Sequence, residues 1–218
     1  MCSSDLRIQK LGFFESVEVT QKGGSAPDKT IIDVEVAETS TGQLTLGAGF
    51  SSSDGPLGNV SINERNLLGK GQTLRLAFLV SRRRQQIGLG FTEPYFLDRE
   101  LSAGVDLFAR RADLTDQSNF DEDSQGGVLR FGYALTEEIR HSVRYRAQRS
   151  TLNNFDDDVS PFIRQESGSR VTSAIGHSIS YDVRNSFFNP TEGFVIRLEQ
   201  DIAGLLGDAK YFRNRSEE

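Results

Sequence analysis

From Gly42 to the end of the chain, apolar and polar residues alternate with a period of two. Leu44, Leu46, Ala48 and Phe50 fall on one side, with Gln43, Thr45, Gly47 and Gly49 on the other. The pattern returns at Val60 and Ile62, from Leu74 to Val80, Ile87 to Phe91, Leu101 to Leu107 and Leu129 to Leu135. It continues from Val143 to Ala147, Val171 to Val183 and Phe194 to Leu198. Successive side chains of an extended chain point to opposite faces, so each segment predicts a strand with one apolar and one polar face. Together they predict about nine strands, with a tenth beginning near Tyr211.

The first residues have a different rhythm. Asp5 to Leu11 places apolar residues at helical spacing ahead of a Gly12 stop. Phe14 to Val19 alternates, a Gly/Ser/Pro/Asp turn runs from Gly23 to Asp28, and Thr30 to Val36 alternates again. Helix, strand, turn, strand predicts the C-terminal part of a small α+β module over residues 1–39, leaving 40–218 for the strand train.

Composition decides where such strands belong. With 36% apolar residues in 218, the chain is poor in core-forming side chains for a soluble globule. No run approaches about 18 consecutive apolar residues, which excludes a bundle of transmembrane helices. A transmembrane β-strand needs only about 9–11 residues, half of them lumen-facing and polar, so a hydrophilic average is compatible with a barrel.

The connections sharpen the choice between a barrel and a soluble β-sandwich, which alternates in the same way. Those at Asn66 to Lys70, Pro94 to Arg99, Thr136 to Glu138 and Arg184 to Glu192 read as compact turns. Those at Arg111 to Ser124 and Thr151 to Arg170 read as long polar loops. Short turns alternating with longer loops predict an up-and-down barrel. Aromatics gather at strand ends (Phe91, Tyr95, Phe96, Phe187, Phe188, Phe194), where membrane barrels place interfacial girdles. Arg140, Arg144 and Arg146 on one strand suit a wet lumen.

Candidate chemistry is sparse. The net charge of −6 argues against a nucleic-acid surface. His141 and His177, the two histidines, lie on apolar-phase positions without a Ser/Asp arrangement, so they read as wall residues and no catalytic group is expected. Far apart in sequence and with only Cys2 besides, they show no metal-ligand spacing; neither a metal nor a cofactor is expected. The lone Cys2 permits no intrachain disulfide and lacks the apolar run that precedes a lipoprotein cysteine. Without a signal peptide at the start, the natural N-terminus is expected upstream. Asp121-Glu122-Asp123 and Asp156-Asp157-Asp158 read as solvated loop tips. Arg82-Arg83-Arg84 reads as a hairpin tip, either solvated or meeting anionic headgroups. Gly69-Lys70-Gly71 reads as a tight turn.

Several strings resemble the BamA family of POTRA-barrel insertases, the bacterial surface-antigen type. Leu11-Gly12-Phe13-Phe14-Glu15-Ser16-Val17 is similar to the helix-to-strand step of the family's final POTRA domain. Val36-Ala37-Glu38-Thr39-Ser40-Thr41-Gly42 resembles the hinge into the first barrel strand, and Gly47-Ala48-Gly49-Phe50-Ser51 that strand. Asn66-Leu67-Leu68-Gly69-Lys70-Gly71-Gln72 and Thr92-Glu93-Pro94-Tyr95-Phe96 resemble the first two periplasmic turns. Tyr181-Asp182-Val183-Arg184-Asn185 with Phe188-Asn189-Pro190-Thr191-Glu192-Gly193-Phe194 resembles the fourth. The strings occur in family order along nearly the whole chain.

The resemblance implies a mainly β fold, a partial antiparallel transmembrane β-barrel preceded by the C-terminal part of an α+β POTRA domain. The chain departs from the family in having about nine strands, no Arg-Gly-Phe lid-loop string and no aromatic-terminated last strand, so it is expected to be part of a longer barrel that would aggregate alone. The implied activity is folding and insertion of other β-barrel proteins into the bacterial outer membrane, without enzymatic chemistry. The implied partners are nascent outer-membrane β-barrel proteins, outer-membrane lipid and lipopolysaccharide, and accessory assembly lipoproteins, with the POTRA part in the periplasm. Two glycines and short side chains weaken packing in the first strand. The expected strand-pairing surface is therefore Leu44, Thr45, Leu46, Gly47, Ala48, Gly49 and Phe50, with Thr41 and Gly42 as the hinge. A related POTRA-barrel transporter, TamA-like or of the two-partner secretion type, is the alternative.

Overall fold

The computed structural model describes residues 12–26, 29–156, 159–185 and 190–217. Two sheets follow one another along the chain. Strands β1 (Phe14–Gly23) and β2 (Thr30–Glu38) form an antiparallel ribbon with a register shift between Phe14 and Ser16. The helical segment expected before Gly12 lies outside the described residues, as do Phe187 and Phe188. Gly12 itself takes φ +68°, a left-handed conformation that favours glycine and suits a helix stop.

The second sheet has ten strands, in the order in which they occur in the chain: β3 (Gly42–Ser51), β4 (Gly55–Leu67), β5 (Gln72–Ser81), β6 (Arg84–Glu93), β7 (Leu101–Asp113), β8 (Asp121–Ala134), β9 (Ile139–Asn153), β10 (Gly168–Asp182), β11 (Val195–Ala203) and β12 (Tyr211–Glu217). Each pairs antiparallel with the next, an up-and-down meander. The tenth strand, expected only as a beginning near Tyr211, is fully formed. β3 and β12 are the two edges of the sheet as described.

Register turns the alternation into two chemically distinct faces. Leu44, Ile62, Leu76, Leu89 and Leu107 stand opposite one another across β3 to β7, a continuous apolar row. On the other face Asp106 receives Arg130 through two bonds, Nε at 2.6 Å and Nη2 at 3.0 Å. No second layer covers the apolar face: the buried apolar residues among those described are confined to Val128, Val159, Ala174, Ala203 and Ala209. A single-layer sheet with an apolar outside and an ion-paired inside needs a hydrocarbon solvent on one face, as a barrel wall in lipid has.

The connections differ from the expected strict alternation. β5 and β6 are joined by residues 82–83 alone, and β3 and β4 by 52–54. The long polar loops shrink because their flanks remain paired: β7 and β8 stay in register out to Asp113↔Asp121. Asp121-Glu122-Asp123, expected at a loop tip, thus begins β8, with Asp123 opposite Arg111 and their charged atoms 3.7 Å apart. Charged residues keep a ladder going where it leaves lipid for water, so hydropathy alone ends these strands too early. The loops hold short helical turns, α1 (Thr115–Ser118) and α2 (Pro161–Gln165).

Candidate functional site: the first strand and its hinge

Strand β3 carries Leu44, Leu46, Ala48 and Phe50 on the apolar face and Gln43, Thr45, Gly47 and Gly49 on the polar face. Its pairing with β4 is complete in register from Gly42↔Glu64 to Ser51↔Gly55. Its other edge is unpaired in the described sheet. Leu46 and Phe50, on the apolar face, are 70% and 81% exposed.

Side chains add little to that ladder. Among the described residues no side-chain hydrogen bond or ion pair runs from residues 42–50 to β4. A β-carbon placed on Gly47 would fall 2.1 Å from Asn59 Oδ1, so the Asn59 amide occupies the space a larger residue would need. One placed on Gly49 would sit 3.5 Å from Leu57 Cδ1, in ordinary contact. Ala48 faces Gly58, a pair with almost no side chain to interlock. The strand is held by its backbone, and Gly49, where a β-carbon would fit, lowers the stability of that hold by roughly 0.5–1 kcal/mol relative to alanine.

The hinge, by contrast, is clamped. Thr41 Oγ1 donates to Glu64 Oε1, and the same oxygen accepts the Asn66 backbone N–H at 2.7 Å. Thr39 N–H donates to the Phe13 carbonyl at 3.0 Å, extending the β1–β2 ladder to the hinge. The Phe13 ring lies beside the β4–β5 turn, 3.6 Å from where a Gly71 β-carbon would be. In that turn Gly69 and Gly71 have φ of +74° and +67°, and the Asn66 side chain accepts the Gly71 N–H at 2.7 Å. The ribbon therefore meets the sheet at β4 and its turn, while β3 beyond Gly42 is left without side-chain ties.

Elsewhere the sheet is cross-braced. Arg144 on β9 reaches across β10 to Asp201 on β11, its Nε 3.0 Å from Oδ1 and Nη2 3.0 Å from Oδ2, with Glu199 at 3.4 Å. Tyr145 Oη bonds Ser173 Oγ at 3.0 Å, and Gln148 Nε2 donates to Ser124 Oγ at 3.0 Å. Arg83 pairs with Asp116 and Arg84 with Asp54 at 3.6 Å, so two of the three arginines at the 82–84 tip are engaged by neighbouring loops. Sequence reading missed one further grouping: His141 and His177, 36 positions apart in the chain, come within 3.4 Å of each other on the apolar face. Only cross-strand register reveals this; spacing along the chain carries no sign of it.

The comparisons with known proteins agree with this architecture. The chain is 25% identical over 214 residues to the outer membrane protein assembly factor BamA of Neorickettsia risticii, covering 98% of the chain and 29% of that protein. It is 28% identical over 201 residues to BamA of Nitratidesulfovibrio vulgaris, covering 92% and 25%. It thus spans under a third of the length of these relatives. The crystal structure of Haemophilus ducreyi BamA lacking POTRA domains 1–3 superposes with a TM-score of 0.71 at 21% identity, over 97% of this chain and 43% of that one. The fold is therefore a BamA-like barrel wall, not closed by the ten strands described. Residues 66–217 match the model of the Omp85 superfamily domain, and the chain belongs to that superfamily.

Proposed function

We propose that this chain supplies the leading wall of an outer-membrane insertase that folds other β-barrel proteins into the bacterial outer membrane, and that β3 is its templating strand. The observation that carries the reading is the contrast within one sheet: β3 is held to β4 by a full backbone ladder and, among the described residues, by no side-chain bond along residues 42–50, while Arg144 ties β9 to β11. Backbone N–H and C=O groups left unpaired at the level of lipid cost several kcal/mol each, so a weakly tied strand that comes free along one edge there takes up an incoming strand strongly. The names of the BamA relatives support the same activity.

In this reading Leu44 to Phe50 present the pairing edge, and Thr41 and Gly42 join it to the β1–β2 ribbon, the end of the last POTRA domain, in the periplasm. Residues 1–39 then form the POTRA part and 40–218 the barrel part. Partners are nascent outer-membrane β-barrel proteins, with accessory lipoproteins on the periplasmic side and lipid and lipopolysaccharide around the wall. The work is done by backbone pairing and needs no enzymatic group. Gly47→Cys and Gly49→Cys in the full-length protein, with cysteines walked along a client's terminal strand, test this. Disulfide-linked client adducts in a register-specific pattern are expected; their absence at both positions overturns the templating role.

A further inference from the structure

The apolar face of the sheet is interrupted by one polar row. Tyr133 on β8, His141 on β9, His177 on β10, Gln200 on β11 and Asn214 on β12 all share the parity of that face. Tyr133 stands directly opposite His141, His177 opposite Gln200, and Gln200 opposite Asn214. His141 and His177 are diagonal neighbours, since His141 pairs with Ile179 and His177 with Val143. The row runs Tyr133 Oη to His141 Nδ1, 2.9 Å; His141 Nε2 to His177 Nδ1, 3.4 Å; His177 Nε2 to Gln200 Oε1, 3.1 Å; and Gln200 Nε2 to Asn214 Oδ1, 3.3 Å.

The proton positions follow from the acceptor end. Gln200 Oε1 only accepts, so His177 Nε2 carries the hydrogen, and in a neutral ring Nδ1 is left with a lone pair. That lone pair faces His141 Nε2. Their separation of 3.4 Å is long for a hydrogen bond, whose usual range ends near 3.2 Å. It matches a different arrangement: two imidazole nitrogens each about 2.0–2.1 Å from one tetrahedral ion lie about 3.3–3.4 Å apart. The ring centroids are 5.5 Å apart, so the two nitrogens lie between the rings.

We propose that His141 and His177 form a two-imidazole site for a divalent transition-metal ion of the zinc, nickel and copper class, on the outward face of the sheet. His141 Nε2 and His177 Nδ1 are the ligands. The outer nitrogens then each donate to an oxygen, His141 Nδ1–H to Tyr133 Oη and His177 Nε2–H to Gln200 Oε1, the support that orients metal-bound imidazoles. Imidazole suits these ions, while the oxygen-preferring magnesium and calcium gain nothing from it. Tyr133 is next to the end of β8 and His141 two residues past the start of β9, so the site lies at the rim of the wall, where water reaches the partly exposed rings and completes the coordination.

The two histidines can be removed together, so the double variant H141Q/H177Q of the full-length protein serves as the matched blank for any other metal-binding group. The full-length protein is folded in dodecylphosphocholine micelles, with strand content matched across variants by circular dichroism, and titrated with Zn²⁺ and Cu²⁺ beside the double variant H141Q/H177Q. One ion more than in H141Q/H177Q is expected, with the added copper showing two imidazole nitrogens by electron paramagnetic resonance. His141→Gln or His177→Gln should weaken Zn²⁺ binding more than tenfold, and Tyr133→Phe, which leaves both ligands in place, about tenfold. Binding that survives either histidine substitution within twofold, or a copper signal from a single imidazole nitrogen, overturns the site.

Discussion

Strand β3 and the β8–β11 wall belong to one sheet, obey one alternation, and are built to opposite ends. The wall uses long strands, β9 and β10 spanning Ile139–Asn153 and Gly168–Asp182, and ties them with Arg144, Tyr145 and Gln148. β3 spans Gly42–Ser51, has glycine at positions 47 and 49, and leans on its backbone alone. Backbone pairing gives a strand its place; side-chain ties decide how readily it gives that place up. A barrel that must open at one seam needs both kinds of strand, because closure elsewhere has to survive the opening.

The sharpest way to break this comparison is to cut the wall's brace. Asp201→Ala leaves Arg144 with only Glu199, and should lower stability by about 2 kcal/mol, less than a fully buried pair because both groups keep some water. Urea unfolding of the full-length protein in vesicles measures it, and Thr45→Ala on β3 should change the same midpoint by less than about 0.5 kcal/mol. Comparable losses would remove the distinction between the two regions.

The hinge comes next. Glu64→Ala removes the acceptor for Thr41 Oγ1 and the Asn66 N–H, and should loosen the hinge locally. Spin labels on the ribbon and on β5 should show a broadened distance distribution, while an unchanged distribution would mean that Phe13 against Gly71 suffices. Gly49→Val goes the other way. Its side chain meets Leu57 in ordinary contact, so it should strengthen β3–β4 pairing by about 0.5–1 kcal/mol and slow client insertion. Faster or unchanged insertion, followed by client protease resistance, would separate strand stability from function. Least affected is the far rim: Asp116→Asn weakens the Arg83 pair at an exposed site and should leave the unfolding midpoint unchanged within error.

The sequence made the strands legible wherever lipid or lumen dictated the side chain, because a period of two survives without tertiary knowledge. It failed at Asp121 to Asp123 and at Thr151 to Asn153, where the ladder continues into water and polar residues sit on both faces. The chemistry of β3 was readable in Gly47 and Gly49, but its lack of side-chain ties to β4 was not, since that depends on Asn59 turning its amide into the gap over Gly47. The meeting of His141 with His177 was invisible for a plainer reason. Cross-strand neighbours are fixed by register, and register is set by turns that hydropathy does not resolve.

Amide hydrogen exchange on the full-length protein in phospholipid vesicles tests the contrast most directly. The account predicts that the amides of Leu44 to Phe50 exchange at least about tenfold faster than those of Val143 to Ala147 at the same depth in the membrane, as locally openable segments do. Equal protection of the two segments would contradict it.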